Sequence, residues 1–134
     1  EINAFLGILM LKKINQWIKI RNNNFNYFIK ILKKFDDEFI TSHKKEMSSF
    51  VLPFLMKNKN KKNQLEAYLN KSGIETRPFI AGNLLRQPFL KNFKNKVFKN
   101  SDFIHNNAFY IGNNQFLSKA RLSLLEKLLN KFFK

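Results

Sequence analysis

Cysteine is absent from this chain of 134 residues, and glycine and proline are scarce, at 4 and 3 residues. Without cysteine the chain can form neither a disulfide framework nor a thiolate metal site, and we expect the cytoplasm as its compartment. The 2 histidines, His43 and His105, stand far apart and lack the spacing of a metal-binding pair. We therefore expect both to face solvent, and we expect no metal site.

Acidic residues are also scarce, with 9 Asp and Glu against 25 Lys and Arg, for a formal net charge of +16. Such an excess is typical of phosphate-binding proteins, including those that bind nucleic acid. The lysines, however, are spread along every segment together with Asn, Phe and Ile, whose codons are all rich in A and T. We interpret the run at residues 57–62 as a solvated loop and expect no nucleic acid as partner. A basic, non-enzymatic module that binds nucleic acid or an anionic surface is the alternative function.

Long apolar runs are missing as well. The apolar stretch at residues 2–11 is interrupted by Asn3, followed at once by Lys12 and Lys13, and shorter than the roughly 20 residues that span a bilayer. We therefore expect no membrane insertion. A secretory signal peptide places positive charge before its apolar segment, whereas here the order is reversed, so we expect no targeting segment. The pattern is already helical at Ile2, with no Met before it, and we expect the sequence to begin inside an element.

Apolar and aromatic side chains are abundant, with 44% hydrophobic residues and 16 phenylalanines. This content excludes a disordered chain, and the length suits a single domain over residues 1–134. Apolar residues recur at helical spacing up to about Phe35, namely at Ile14, Ile18, Phe25, Phe28 and Leu32. We predict one long helix over residues 1–36 that packs along its length, with the polar segment 21–24 as a point of interruption.

Residues 47–134 combine strand patterns with amphipathic helix patterns. Strands are predicted at residues 50–56, 74–77 and 109–111, and Pro53 in the first of them favours a sheet edge or a bulge. One helix is predicted around residues 65–69 and ended by Gly73, which adopts a left-handed conformation easily. A second is predicted from a cap among residues 100–102, and a third from Ser118, with a core face of Leu122, Leu125, Leu129 and Phe132.

The segment GIETRPFIAGNLLRQPFL, from Gly73 to Leu90, joins a strand pattern to a loop that is too polar for core, and we predict that it forms part of a substrate pocket. Arg77 carries a planar donor fork that suits a phosphate or a carboxylate. The alternative for Arg77 is an exposed cation whose stem covers apolar surface. Gly82 allows close backbone approach to a ligand, and Asn83 offers a donor and an acceptor to sugar hydroxyls. The alternative for both is an ordinary turn.

Four stretches resemble a known family: Glu1 to Lys13 (EINAFLGILMLKK), Ser48 to Phe50 (SSF), GIETRPFIAGN, and Asn100 to Asn114 (NSDFIHNNAFYIGNN). Together they resemble the C-terminal small domain of pyridoxal-phosphate enzymes of aspartate-aminotransferase fold, and among these the DegT-type nucleotide-sugar aminotransferases. The likeness is greatest to the branch of 3-dehydrases that act on nucleotide-linked 4-keto-6-deoxyhexoses. Two positions depart from the family pattern, since Phe50 stands where Trp is usual and Asn114 where a GNH motif usually has His.

The resemblance and the order of elements together predict the fold class α/β, of the α+β kind. A long N-terminal helix is expected to precede a small, mostly antiparallel three-stranded sheet with helices packed on one face. If the first helix normally packs on an upstream domain, Phe5, Leu6, Leu9 and Met10 are expected to form an exposed apolar patch.

The function that the resemblance implies is 3-dehydration or transamination of a nucleotide sugar, with pyridoxal phosphate, in lipopolysaccharide and O-antigen sugar biosynthesis. In such enzymes the Lys or His that handles the cofactor adduct lies in an upstream domain. No catalytic residue is therefore assigned here, the chain alone is expected to be inactive, and the parent enzyme is expected to be a homodimer. Ser49 can donate to the nucleotide sugar or serve the strand alone. The predicted substrate-binding residues are Arg77, Gly82, Asn83, Ser49 and Asn114.

Overall fold

A computed structural model describes residues 1–41, 47–80, 82–93 and 96–134. Within these ranges the helices are α1 (Ile2–Leu11), α2 (Ile14–Leu32), α3 (Lys59–Lys71), α4 (Lys99–Asn107) and α5 (Lys119–Phe132). The strands are β1 (Val51–Leu55), β2 (Arg77–Pro78) and β3 (Ala108–Gly112). Short 3₁₀ segments cover Lys33–Phe35, Leu84–Arg86 and Pro88–Phe93.

The sheet has the order β1-β3-β2, and both neighbouring pairs are antiparallel. β1 is an edge strand, as Pro53 predicts. In the register Phe54 lies opposite Phe109, and Arg77 lies opposite Tyr110. The predicted three-stranded antiparallel sheet is confirmed.

The main core lies on one face of this sheet. Phe54 stacks on Phe109 with ring centroids 4.6 Å apart, and the Phe28 ring from α2 meets the Phe54 ring edge-on at 4.9 Å. Helices α3 and α5 contribute leucines to the same cluster, namely Leu65, Leu69, Leu122, Leu125 and Leu129. Helices α2, α3 and α5 therefore pack on this face as predicted, and the predicted leucine face of α5 is confirmed. Helix α4 differs, because its His105 lies beside Tyr110 on the opposite face.

The predicted single helix over residues 1–36 is two helices in the structure. The break falls at Lys12 and Lys13, where the Lys13 amide bonds to Met10 O in a tight turn and Lys13 adopts φ −106° and ψ −5°. The interruption predicted at residues 21–24 is wrong, because Asn24 is buried in α2 and its side chain bonds to Asn113 and to Leu117 O. A buried partner thus satisfies the asparagine that would otherwise compete for helical backbone.

The apolar face of the first helices is buried only in its later part. Phe25, Phe28 and Leu32 are core residues, whereas Ile14 is 40% exposed. Helix α1 has no buried residue. Its predicted apolar patch is confirmed, with exposed fractions of 62% for Phe5, 46% for Leu6, 42% for Leu9 and 54% for Met10.

Across the described ranges, no helix has both the length and the hydropathy needed to cross a bilayer.

The second strand begins later than its sequence pattern indicates. The Ile74 amide bonds back to Leu69 O, and the Thr76 amide bonds to Asn70 Oδ1, so these donors close the end of α3 and are not used in the sheet. β2 therefore consists of Arg77 and Pro78, and the predicted boundaries of 74–77 are wrong.

The observed start of one helix agrees with the sequence prediction, and the observed starts of two others differ from it. Ser118 accepts a hydrogen bond from the Arg121 amide, as predicted. The lysine run predicted as a loop enters α3 at Lys59, because Asn58 Oδ1 accepts hydrogen bonds from the Asn60 and Lys61 amides.

Helix α4 begins after Phe98 without a side-chain cap, so the cap predicted among residues 100–102 is wrong. Gly73, with φ 81°, ends the α3 region as predicted.

Candidate functional site

A cavity of about 320 Å³ lies where β2, β3 and α4 meet, and we call it the Arg77 cavity. Side chains alternate across a strand, so Tyr110 points away from the face that carries Phe54 and Phe109. The cavity is thus separate from the main core. Its lining consists of Arg77, Pro78, Phe79, Gly82, Gln87, His105 and Tyr110.

Arg77 supplies a cation to this cavity from the edge strand of the sheet. Its guanidinium pairs with Glu75 at 2.5 Å, and the two side chains are 64% and 73% exposed. An ion pair this open to solvent stabilises little, so an anionic ligand can replace Glu75 at low cost. A guanidinium also presents parallel donors that fit a phosphate.

Gly82 approaches a protein side chain closely. It adopts φ 53°, and a Cβ at this position would lie 2.2 Å from His105 Nδ1. The next residue, Asn83, donates its backbone N–H to the same nitrogen at 3.2 Å. The close approach that the sequence assigned to a ligand is, in the structure, made to His105.

The side chain of Asn83 is 4% exposed and engaged at both ends. Asn83 Nδ2 donates to Asp102 Oδ1 at 2.9 Å, and Asn83 Oδ1 accepts from the Leu85 amide at 3.0 Å. Arg86 donates to the same carboxylate oxygen of Asp102 through Nε and Nη2, at 2.9 and 2.8 Å. The Arg86 hydrogen bonds, followed by that of Asn83, hold the pKa of Asp102 below its ordinary value.

Ser49 and Asn114 do not line the Arg77 cavity. Ser49 lies just before β1, where its Oγ donates to Val51 O at 2.7 Å. Asn114 follows β3, and its Oδ1 accepts from the Phe116 amide at 2.8 Å. The structure thus brings Arg77 and Gly82 together, keeps Asn83 beside them, and places Ser49 and Asn114 elsewhere on the sheet.

Sequence reasoning missed the contribution of two lining residues, Tyr110 and His105. His105 is exposed, as predicted, but it also accepts the bond from Asn83. The sequence does contain a signal for His105, because Asp102 and His105 are three positions apart and therefore share one face of a helix. His43 lies outside the described residues.

The described residues offer little for other chemistry. Their buried polar side chains are Asn24, Asn83, Asn107 and Asn113. No group of three His, Cys, Asp or Glu residues able to hold a metal ion occurs among them.

The sequence profile of the DegT/DnrJ/EryC1/StrS aminotransferase family matches residues 1–125. The chain therefore belongs to this family, as the four stretches predicted.

Two curated relatives and one solved structure illustrate the similarity. GDP-4-keto-6-deoxy-D-mannose 3-dehydratase of Escherichia coli O55:H7 is 30% identical over 96% of this chain and 35% of its own length. Lipopolysaccharide biosynthesis protein RfbH of Salmonella typhimurium is 30% identical over 99% of this chain and 32% of its own length. The structure of the Escherichia coli 3-dehydratase with bound hydrated PLP matches with a TM-score of 0.77 and 29% identity, over 92% of this chain and 33% of that one. The chain thus spans about a third of these relatives.

Proposed function

We propose that this chain is the C-terminal, substrate-side part of a pyridoxal-phosphate enzyme that acts on a nucleotide-linked 4-keto-6-deoxyhexose. The reaction is 3-dehydration or transamination, and the product serves lipopolysaccharide sugar biosynthesis. The similarity to a 3-dehydratase and to RfbH over nearly the whole chain supports this substrate class.

The observation that carries the proposal is the position of Arg77. Its exposed guanidinium has a weakly held partner, Glu75, and lines a cavity that also holds the Tyr110 ring. A diphosphate needs a cation with exchangeable contacts, and a sugar or a base needs a flat apolar surface beside it. Arg77 lies in the segment that the sequence singled out independently, and Tyr110 lies opposite it on β3.

The described residues do not themselves fit pyridoxal phosphate. A lysine that forms an imine with this cofactor needs a site that lowers its charge or shields it from water, but the buried polar residues of the described chain are asparagines. From the family resemblance we propose that the cofactor, and the Lys or His that acts on its adduct, are supplied by polypeptide beyond this domain. The role proposed for this chain is to bind and orient the sugar nucleotide.

The exposed apolar face of helix α1 also supports a separate cofactor-binding domain. The helix exposes apolar side chains along its length and buries none of them. An apolar helix of this kind is stable in water when another surface covers it. We propose that the cofactor-binding domain covers α1, and that the complete enzyme is a homodimer located in the cytoplasm.

The test uses the longest open reading frame that contains this chain. We expect the longer protein to bind pyridoxal phosphate and to convert GDP-4-keto-6-deoxy-D-mannose, and we expect Arg77→Ala to raise KM about tenfold or more. Arg121→Ala is the matched control, since Arg121 is exposed on α5 and does not line the Arg77 cavity.

Two results would contradict the proposal. One is a longer protein that binds no cofactor. The other is binding of random DNA or anionic vesicles with a salt dependence of several charges, which favours the basic-module alternative.

A further inference from the structure

We propose that His105, in its neutral form, is a positioning residue that holds the segment 82–86 against α4 and so sets one wall of the Arg77 cavity. Protonation of its imidazole releases the Asn83 backbone from His105, while Asp102 continues to hold the Asn83 side chain and Arg86. The relevance of this release to a sugar nucleotide rests on the proposed function, whereas the hydrogen bond itself does not.

The geometry fixes which nitrogen of His105 carries the proton. Asn83 donates its backbone N–H to His105 Nδ1 at 3.2 Å, so Nδ1 is an acceptor and the proton of the neutral ring is on Nε2. When the ring takes a second proton, Nδ1 becomes a donor that faces another donor. The hydrogen bond is then lost.

Gly82 makes this contact selective for histidine in its present position. With φ 53° and space for no Cβ beside Nδ1, the backbone reaches the ring closely enough for the next amide to bond. A side chain at position 82 would both clash with His105 and strain the backbone. The sequence Gly82-Asn83 is thereby explained as a docking turn for an imidazole.

One turn of α4 holds the segment at two points. His105 accepts from the Asn83 backbone, and Asp102 accepts from the Asn83 side chain and from Arg86. The Asp102 contacts are to a carboxylate that stays ionised at neutral pH, because its pKa is lowered. Of the two contacts, the one to His105 is therefore the one that protonation of an imidazole can break.

The charged and titratable groups around His105 come from every element that packs near it. Asp102 lies on α4 itself, Arg86 on the docked segment, Arg77 on β2 and Tyr110 on β3. His105 is exposed, so its protonation needs no opening of the core. Release of the Asn83 backbone from His105 would alter the part of the cavity wall that Gly82 forms while leaving the sheet intact.

The experiment follows the Asn83 amide of nitrogen-15-labelled protein by NMR between about pH 8 and pH 5. We expect its chemical shift to titrate with the same midpoint as the His105 ring protons. We also expect its hydrogen-exchange protection, corrected for the intrinsic pH dependence, to fall about fivefold, as for loss of one hydrogen bond. No ligand is added, so this result is independent of the proposed function.

Variants separate positioning from simple structural support. His105→Asn keeps an acceptor at the place of Nδ1 but does not titrate, and we expect it to retain the Asn83 protection with no pH dependence. His105→Ala should lose protection at all pH values. The proposal is overturned if the Asn83 amide does not respond while His105 titrates, or if His105→Asn keeps the same pH dependence.

Discussion

Asn24 and Asn113 are 89 positions apart, and Asn24 Nδ2 donates to Asn113 Oδ1 at 3.3 Å. Asn113 Nδ2 in turn donates to Arg21 O at 3.1 Å and to Ser49 O at 2.9 Å. Both amides are buried, with 6% and 1% exposure. A single side chain after β3 therefore joins α2 to the segment that leads into β1.

This junction predicts a contrast between two neighbouring asparagines. Asn113→Ala should lower the free energy of unfolding by about 2 to 3 kcal/mol, because it leaves the Arg21 and Ser49 carbonyls without a buried donor. Asn114→Ala should lower it by less than about 1 kcal/mol, because Asn114 is exposed and makes one local bond. Urea denaturation of the two variants measures both values, and equal losses would show that Asn113 is not the junction.

The stacked pair in the core predicts a large effect at one phenylalanine and a small one at another. Phe54→Ala should cost about 3 to 5 kcal/mol, because the ring is fully buried between Phe28 and Phe109. Phe50→Ala should change the free energy of unfolding by no more than about 0.5 kcal/mol, because Phe50 is 62% exposed. Calorimetry of both proteins gives the comparison, and a large loss at Phe50 would mean that its side chain is covered in solution.

Glu126 links two helices and gives the fold an acid-sensitive contact. It accepts from Tyr27 Oη at 2.7 Å and pairs with Lys34, and these contacts, that of Lys34 first, hold the pKa of Glu126 below its ordinary value. A carboxyl with a lowered folded-state pKa stabilises the fold above its unfolded pKa, about 4.3. That contribution disappears as pH falls through the folded-state value.

We therefore expect Glu126→Gln to flatten the dependence of stability on pH in this acid range. The urea midpoint of the parent protein should fall from about pH 6 to pH 3 by more than that of the variant. Asp37→Asn, at an exposed residue, is the control and should follow the parent curve. Parallel curves for parent and Glu126→Gln would show that the contact contributes nothing in solution.

The exposed face of α1 predicts self-association that substitution can remove. Phe5→Gln combined with Leu9→Gln should reduce binding of an apolar dye and concentration-dependent association, because both side chains face solvent. The free energy of unfolding should change by less than about 0.5 kcal/mol per substitution. Sedimentation and urea denaturation test the two expectations, and a strong loss of stability would mean that α1 packs on this domain.

Several features of the fold follow directly from the sequence. Pro53 indicates an edge strand, Ser118 a helix cap, and the leucine spacing of α5 its core face, because each depends on local chemistry. The position of β2 does not follow in this way, since Asn70 captures the Thr76 amide that a strand would use. The break between α1 and α2 is equally hard to predict, because the apolar pattern continues across Lys12 and Lys13.

The residues of the candidate site also differ in whether the sequence alone predicts them. Arg77 and Gly82 can be proposed from a short motif, because the donor geometry of a guanidinium and the backbone freedom of glycine depend only on the residue type. The contact between Asn83 and His105 cannot, since it joins a loop to a helix 22 positions away. Ser49 and Asn114 stay predictions, and their side chains make hydrogen bonds to nearby backbone groups.

The most direct test of the account is cofactor binding by this chain compared with the longer protein that we propose contains it. Equimolar pyridoxal phosphate is added to each, followed by absorbance, borohydride reduction and peptide mapping. We predict that the longer protein binds the cofactor, through an imine if the residue that acts on the adduct is Lys and without one if it is His. The 134-residue chain should form no imine, and turnover of the sugar nucleotide should be confined to the longer protein. A single modified lysine within this chain, or turnover by this chain alone, would contradict the account.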